Sequence, residues 1–126
     1  MDENALSGKV IGAAIRVHSE LGPGLLESSY QECLHYELTD SGLYVEKEKG
    51  LPLTYREINL ECGYRVDLFV ENRLIIEVKA VERMNDVHLA QVLTYLKLSG
   101  CHVGLLLNFH CARMKDGIRR VIYGYK

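Results

Sequence analysis

The sequence predicts an α/β fold: a single domain in which a mixed central β-sheet is flanked by helices. Three observations carry this. The N-terminal stretch to Asp40 repeats apolar side chains at helical spacing, the middle of the chain reads as strands, and a helical segment then separates two apolar strands as a crossover would. With 126 residues, 48% hydrophobic and 25% charged, the chain can bury one core. No linker, internal repeat or low-complexity tract interrupts it, so residues 1–126 are expected to form one domain.

The elements follow in order. From Leu6 to Glu20, residues Val10, Ile11, Ala14, Ile15 and His18 recur at helical spacing, and Leu21-Gly22-Pro23-Gly24 stops the helix. A second helix is predicted from Leu25 to about Asp40, with Leu26, Tyr30, Cys33, Leu34 and Leu38 as its apolar stripe and Ser41-Gly42 as its exit. At about 100° per residue, Glu27 falls nearly in line with Leu34 and Leu38, on the inward side. Short strands are predicted over Leu43–Glu48 and Leu51–Arg56, broken by Gly50 and Pro52, and Ile58–Cys62 leads through Gly63 into Tyr64–Val70 and Arg73–Lys79. A helix from about Asp86 to Leu98, capped near Asn85 or Asp86, presents Leu89, Val92, Leu93 and Leu96 and ends at Ser99-Gly100. Val103–Phe109 is nearly all apolar, the pattern of a strand covered on both faces, and a last short strand is expected over Arg119–Tyr123.

Composition narrows the function classes. No run of about 18 apolar residues occurs and the N-terminus lacks the pattern of a signal peptide, so no membrane association and a cytoplasmic location are expected. Cys33, Cys62, Cys101 and Cys111 form no C-x-x-C pair, which fits reduced thiols. Cys101-His102 and His110-Cys111 resemble zinc ligands only superficially, because a strand between them would hold them roughly 25 Å apart. The formal charge of −2 writes no general attraction to polyanions into the chain, although Arg113, Lys115, Arg119, Arg120 and Lys126 against Asp116 make its C-terminal end locally basic.

The informative stretch is YRVDLFVENRLIIEVKA, Tyr64 to Ala80, where Asp67, Glu77 and Lys79 interrupt otherwise apolar strands. An unpaired buried charge is costly, so these three need partners. Glu77 and Lys79 share one face of a strand and Ile76 and Val78 the other. If Glu71-Asn72-Arg73 makes a three-residue connection, Val70 pairs with Leu74 and Asp67 with Glu77 on one face; a two-residue loop sends the two acids to opposite faces. Two carboxylates placed together repel unless a shared proton or a cation compensates, and a hard divalent metal is one solution.

Asp67 followed by Glu77-Val78-Lys79 resembles the D…(D/E)-x-K signature of the PD-(D/E)xK nuclease superfamily, with Val66 where the superfamily name has proline. Gly24-Leu25-Leu26-Glu27-Ser28-Ser29-Tyr30 is similar to the motif of the GxxExxY family within it, as is His18-Ser19-Glu20-Leu21-Gly22-Pro23. His88, Gln91 and Tyr95 add to the likeness, the last two resembling the Q-x-x-x-Y motif of RecB-like nucleases. The resemblance spans about Val10 to Phe109 and implies a restriction-endonuclease-like core. It further implies that Asp67, Glu77 and the Val78 carbonyl bind Mg²⁺ or Mn²⁺, with Glu27 supplying a further carboxylate at the metal or a hydrogen bond to its water, and that the metal polarises a phosphoryl oxygen and lowers the pKa of a water. Lys79 would orient that water and steady developing charge, while His88, Gln91 and Tyr95 hold the scissile phosphate or the groups around it. His18 is open between metal ligand, phosphate contact and core histidine.

These residues also have plain structural uses: an ion pair for the triad, a packed tyrosine for Tyr95, a helix-capping acid for Glu27. Two function classes follow from the sequence. One is a metal-dependent nuclease acting on DNA or RNA; the other is a catalytically silent nucleic-acid or protein-binding module on a nuclease scaffold. The near-neutral charge suits a nuclease that draws affinity from a protein partner or from its own oligomer.

Overall fold

The structure is a computed structural model that describes residues 1–124; the Cys62 side chain and Lys126 of the basic end lie outside the described residues. Helix α1 (Glu3–Leu21) begins three residues before the sequence-based start because Asp2 caps it, accepting a hydrogen bond from the Ala5 N–H at 2.8 Å. Gly22, at φ 68°, ends it. Leu6, Val10, Ala13, Ala14 and Val17 form its buried side, whereas Ile15, counted in the predicted stripe, is exposed. Helix α2 (Glu27–Asp40) starts two residues later than predicted. Leu26 therefore stands outside the helix and is 75% exposed, leaving Tyr30, Leu34 and Leu38 as the packed stripe.

The first strands are fewer and longer than the sequence suggests. Gly50, Pro52 and Gly63 do not break the chain into pieces; β1 (Val45–Tyr55) and β2 (Ile58–Val70) form one long antiparallel hairpin. Its register shifts between Leu51 and Leu53, so Pro52 occupies the irregular position where its missing N–H breaks no regular pairing. Strand β3 (Leu74–Lys79) continues antiparallel, helix α3 (Asp86–Ser99) crosses over, and β4 (Val103–Asn108) returns parallel to β3. A 3-10 turn (Met114–Gly117) leads into β5 (Ile118–Ile122), antiparallel to β4. The sheet order is β1-β2-β3-β4-β5, a mixed five-stranded sheet with β3 at its centre.

Helices α1 and α2 cover one face, where Leu68, Val70, Leu74, Ile76, Val78, Leu105 and Leu107 pack against them. Helix α3 covers the other, with Phe69, Ile75, Tyr95 and Leu96 in its cluster. Val92, Tyr95 and Leu96 are the buried residues of α3; Leu89 and Leu93 are only half-buried. This helix sits close to the sheet because Gly104 has no side chain. A Cβ there would meet Val92 Cγ1 at 2.7 Å.

That contact yields a prediction. Gly104→Ala should destabilise the protein by about 1–3 kcal/mol through overpacking, and adding Val92→Ala should restore part of the loss. Thermal melts of the single and double variants check this; an unchanged melting temperature for Gly104→Ala would contradict the close approach.

Candidate active site

The site begins with the β2–β3 turn. Glu71 and Asn72 both take φ 53°, the Arg73 N–H donates to the Val70 carbonyl, and Val70 pairs with Leu74. This is the three-residue register, and it continues through Phe69–Ile75 and Leu68–Ile76. Asp67 and Glu77 come next, opposite one another on the α3 side. Here the regular ladder stops and the acids take over its hydrogen bonds. The Asp67 N–H donates to Glu77 Oε1 at 3.1 Å, and the Val78 N–H donates to Asp67 Oδ2 at 2.8 Å. Each carboxylate is thus oriented by the other strand's backbone, and Asp67 Oδ1 and Glu77 Oε2 receive no hydrogen bond from the described residues.

Glu77 is buried, 3% exposed, and Lys79 Nζ stands 4.0 Å from its Oε2. That distance is an ion pair rather than a hydrogen bond. Burial raises the Glu77 carboxyl to about 8; the neighbouring Asp67 charge adds to the rise, and the Asp67 N–H and Lys79 offset only part of it. Burial likewise raises Asp67, against the pull of the Val78 N–H and Lys79, with the negative charges of Glu27 and Glu48 adding to the rise. At neutral pH the metal-free pair therefore retains a proton.

Other residues close the site. Glu27, the first residue of α2, is exposed rather than inward-packed, yet it reaches the site: its Oε2 accepts from the Ala80 N–H at 3.1 Å, at the end of β3. Tyr95 feels the charges of Glu77 and Asp67 and is hydrogen-bonded by Gln91; burial is the main reason its hydroxyl is pushed up to about 12. It also meets Tyr64 edge-on, with ring centroids 6.3 Å apart. The Val78 N–H, next to Glu77 on β3, ties that strand to Asp67.

The two histidines are engaged elsewhere. His18 is buried, 7% exposed, with Nε2 2.8 Å from the Cys111 carbonyl and its ring tilted against Phe109. His88 closes the N-terminus of α3: its Nδ1 accepts from the Asn85 N–H while the Asn85 side chain accepts from the Val87 and His88 N–H groups. Two other residues at the site had no sequence signal. Glu48 falls opposite Asp67, between the pairs Lys47–Leu68 and Lys49–Val66, and holds φ 54° inside a strand. In sequence it is one of several alternating charges in Glu46-Lys47-Glu48-Lys49, the pattern of a wet strand. Asn108, 5% exposed, bonds the Val81 backbone in both directions and so pins the chain leaving Lys79.

An acid pair and a lysine on adjacent strands of a helix-flanked mixed sheet define a restriction-endonuclease-like core. The chain belongs to the PD-(D/E)XK nuclease superfamily, whose family model matches residues 4–121. Comparison with curated proteins finds no match, and comparison with solved structures finds none. Nucleases of this superfamily generally use divalent metal ions. Among the described residues no three His, Cys, Asp or Glu side chains are gathered closely enough to hold a metal by themselves. The donor set still fits a hard cation of the Mg²⁺ type, which takes one or two carboxylates and completes its shell with water and substrate phosphate. Asp67 Oδ1 and Glu77 Oε2, which accept no hydrogen bond from the described residues, would be the oxygens open to such an ion.

The Glu77 carboxyl links the site to stability. Its folded value of about 8 lies above the ordinary 4.5, so between these the folded protein keeps a proton that the unfolded chain has lost. Stability therefore falls as pH rises through that window and levels off above it. Glu77→Gln should remove this contribution, gaining on the metal-free wild type by a few kcal/mol at most between about pH 5 and about pH 8. Melting temperatures of both proteins across that range test it, and parallel curves would contradict the buried-acid account.

Proposed function

We propose that this protein is a metal-dependent nuclease of the GxxExxY type, hydrolysing phosphodiester bonds of DNA or RNA with Mg²⁺ or Mn²⁺. The observation that carries the reading is the cross-bonded Asp67–Glu77 pair with Lys79 beside it on one face of the sheet. A divalent ion at this pair would polarise the scissile phosphoryl group and acidify a water. Asp67 and Glu77 would supply the negative oxygens to hold the ion, with the Val78 carbonyl, next to Glu77 on β3, as a third oxygen. Lys79 orients the attacking water and donates hydrogen bonds to a phosphate oxygen as negative charge grows there. In the displacement the water gives up a proton to solvent as its oxygen bonds to phosphorus, the bond to the leaving oxygen breaks, and that oxygen takes up a proton from solvent.

Glu27 sets the mouth of the site, held by the Ala80 N–H where β3 ends. Tyr95, with its hydroxyl pushed up to about 12, stays a neutral hydrogen-bond donor throughout the physiological range, and Gln91 orients it as the Q-x-x-x-Y pattern suggests. The free thiols Cys33, Cys101 and Cys111 suit a reducing, cytoplasmic compartment. No helix among the described residues is long and apolar enough to cross a membrane.

The acids and the lysine have different jobs, and substitution separates them. Asp67→Asn should weaken Mn²⁺ binding and abolish cleavage together, because a neutral amide is a poorer ligand for a hard cation. Lys79→Met should keep or tighten metal binding while cleavage drops by roughly 10²-fold or more. Thermal shift with and without Mn²⁺, run beside cleavage assays on single- and double-stranded DNA and RNA, reads both. A wild type that neither gains stability from the ion nor cleaves any substrate would favour a binding module on the nuclease scaffold.

A further inference from the structure

A cleft of about 460 Å³ opens between α1, the turn at Gly22-Pro23 and the segment Ala112–Lys115. Arg113 and Lys115 line it and are exposed, and no acidic side chain does. Neither cation makes an ion pair or side-chain hydrogen bond within the described residues. The contrast with the cleft on the other side of α1 is sharp, since Glu20, Glu32 and Glu37 line that one.

A chain of contacts links the basic cleft to the end of β3 at Lys79. The Tyr30 hydroxyl donates to the Gly22 carbonyl and accepts from the Leu25 N–H, which locks the turn that forms one wall. Six residues on from Gly22's neighbour Leu21, that same turn delivers Glu27 to the Ala80 N–H at the end of β3. The Tyr30 ring stacks on Phe109 with centroids 4.5 Å apart, and the Phe109 N–H donates to the Lys79 carbonyl at 2.9 Å. On the opposite wall, the His18 ring holds the Cys111 carbonyl, just before Arg113. The cleft and the acid pair thus meet the same end of the sheet, where β3 stops at Lys79 and β4 runs on through Phe109 to Cys111.

We infer that this cleft, through Arg113 and Lys115, binds the phosphodiester backbone of the nucleic-acid strand beyond the scissile position. The inference takes its ligand from the nuclease reading. It also accounts for how a chain of net charge −2 retains a polyanion: affinity comes from a local pair of cations rather than from an overall field. Arginine and lysine suit phosphate oxygens whatever the base sequence, so the cleft should position the strand without selecting sequence.

The test is fluorescence anisotropy of short labelled single-stranded DNA and RNA, in EDTA, with wild type, Arg113→Glu/Lys115→Glu and the charge-matched control Lys9→Glu/Lys97→Glu. Loss of two phosphate contacts should weaken binding about tenfold or more and flatten the salt dependence by about 1.4 in slope, with the control close to wild type. If charge reversal disturbs folding, Arg113→Ala/Lys115→Ala is expected to show a smaller loss in the same direction. Binding by the cleft variants equal to wild type, or no binding by the wild type, would overturn the inference. Wild-type hydrolysis of bis(p-nitrophenyl) phosphate with Mn²⁺, measured in parallel, tests the nuclease reading separately. Cleft-dependent binding without hydrolysis would leave the inference standing and remove the reading.

Discussion

Two carboxylates that face each other on adjacent central strands govern the design of this protein. Asp67 and Glu77 repel when both are charged, and Glu77 is almost wholly removed from water. A fold optimised for stability alone would place apolar residues there, since an apolar pair of similar volume is often neutral or stabilising by comparison. Here the backbone compensates in part: each acid accepts one N–H that the interrupted β-ladder would otherwise leave without a partner. The cost of holding the acids and the cost of ending the ladder offset each other. What remains uncompensated is charge, and that is the property a divalent cation would relieve.

The surrounding elements serve this arrangement. The register set at Glu71–Arg73 determines that the acids share a face, and the parallel β3–β4 pairing puts Lys79 beside Asn108, which anchors the departing chain at Val81. Helix α3 approaches over Gly104 and lays Tyr95 near the pair, while the turn before α2 brings Glu27 to the end of β3. Glu48 is the unexpected member. Its left-handed backbone within a strand lies opposite Asp67, and its charge raises the Asp67 carboxyl rather than relieving it.

Much of this was legible in the sequence because strand parity is a strict rule. Once Glu77 and Lys79 stand two apart and the connection has three residues, the face shared with Asp67 follows. Helical phase was a weaker guide. It aimed Glu27 inward, but Glu27 is the first residue of α2 and reaches the site from the exposed side through a single hydrogen bond. Turn-forming residues are a poor guide to β1 and β2, because Gly50 and Gly63 are accommodated within the long hairpin and Pro52 sits at its irregularity. His18 and Glu48 could not be assigned from local pattern. One is defined by a partner 93 positions away, the Cys111 carbonyl, and the other by its cross-strand position opposite Asp67.

A metal-free acid pair that holds a proton at neutral pH would have to give it up to a divalent cation. Isothermal titration of Mn²⁺ into the protein near pH 7, repeated in buffers of different ionisation heat, measures that proton directly. Release of about one proton per ion bound is expected, falling toward zero as the pH passes about 8. Binding at this pair with no proton released at pH 7 would contradict it.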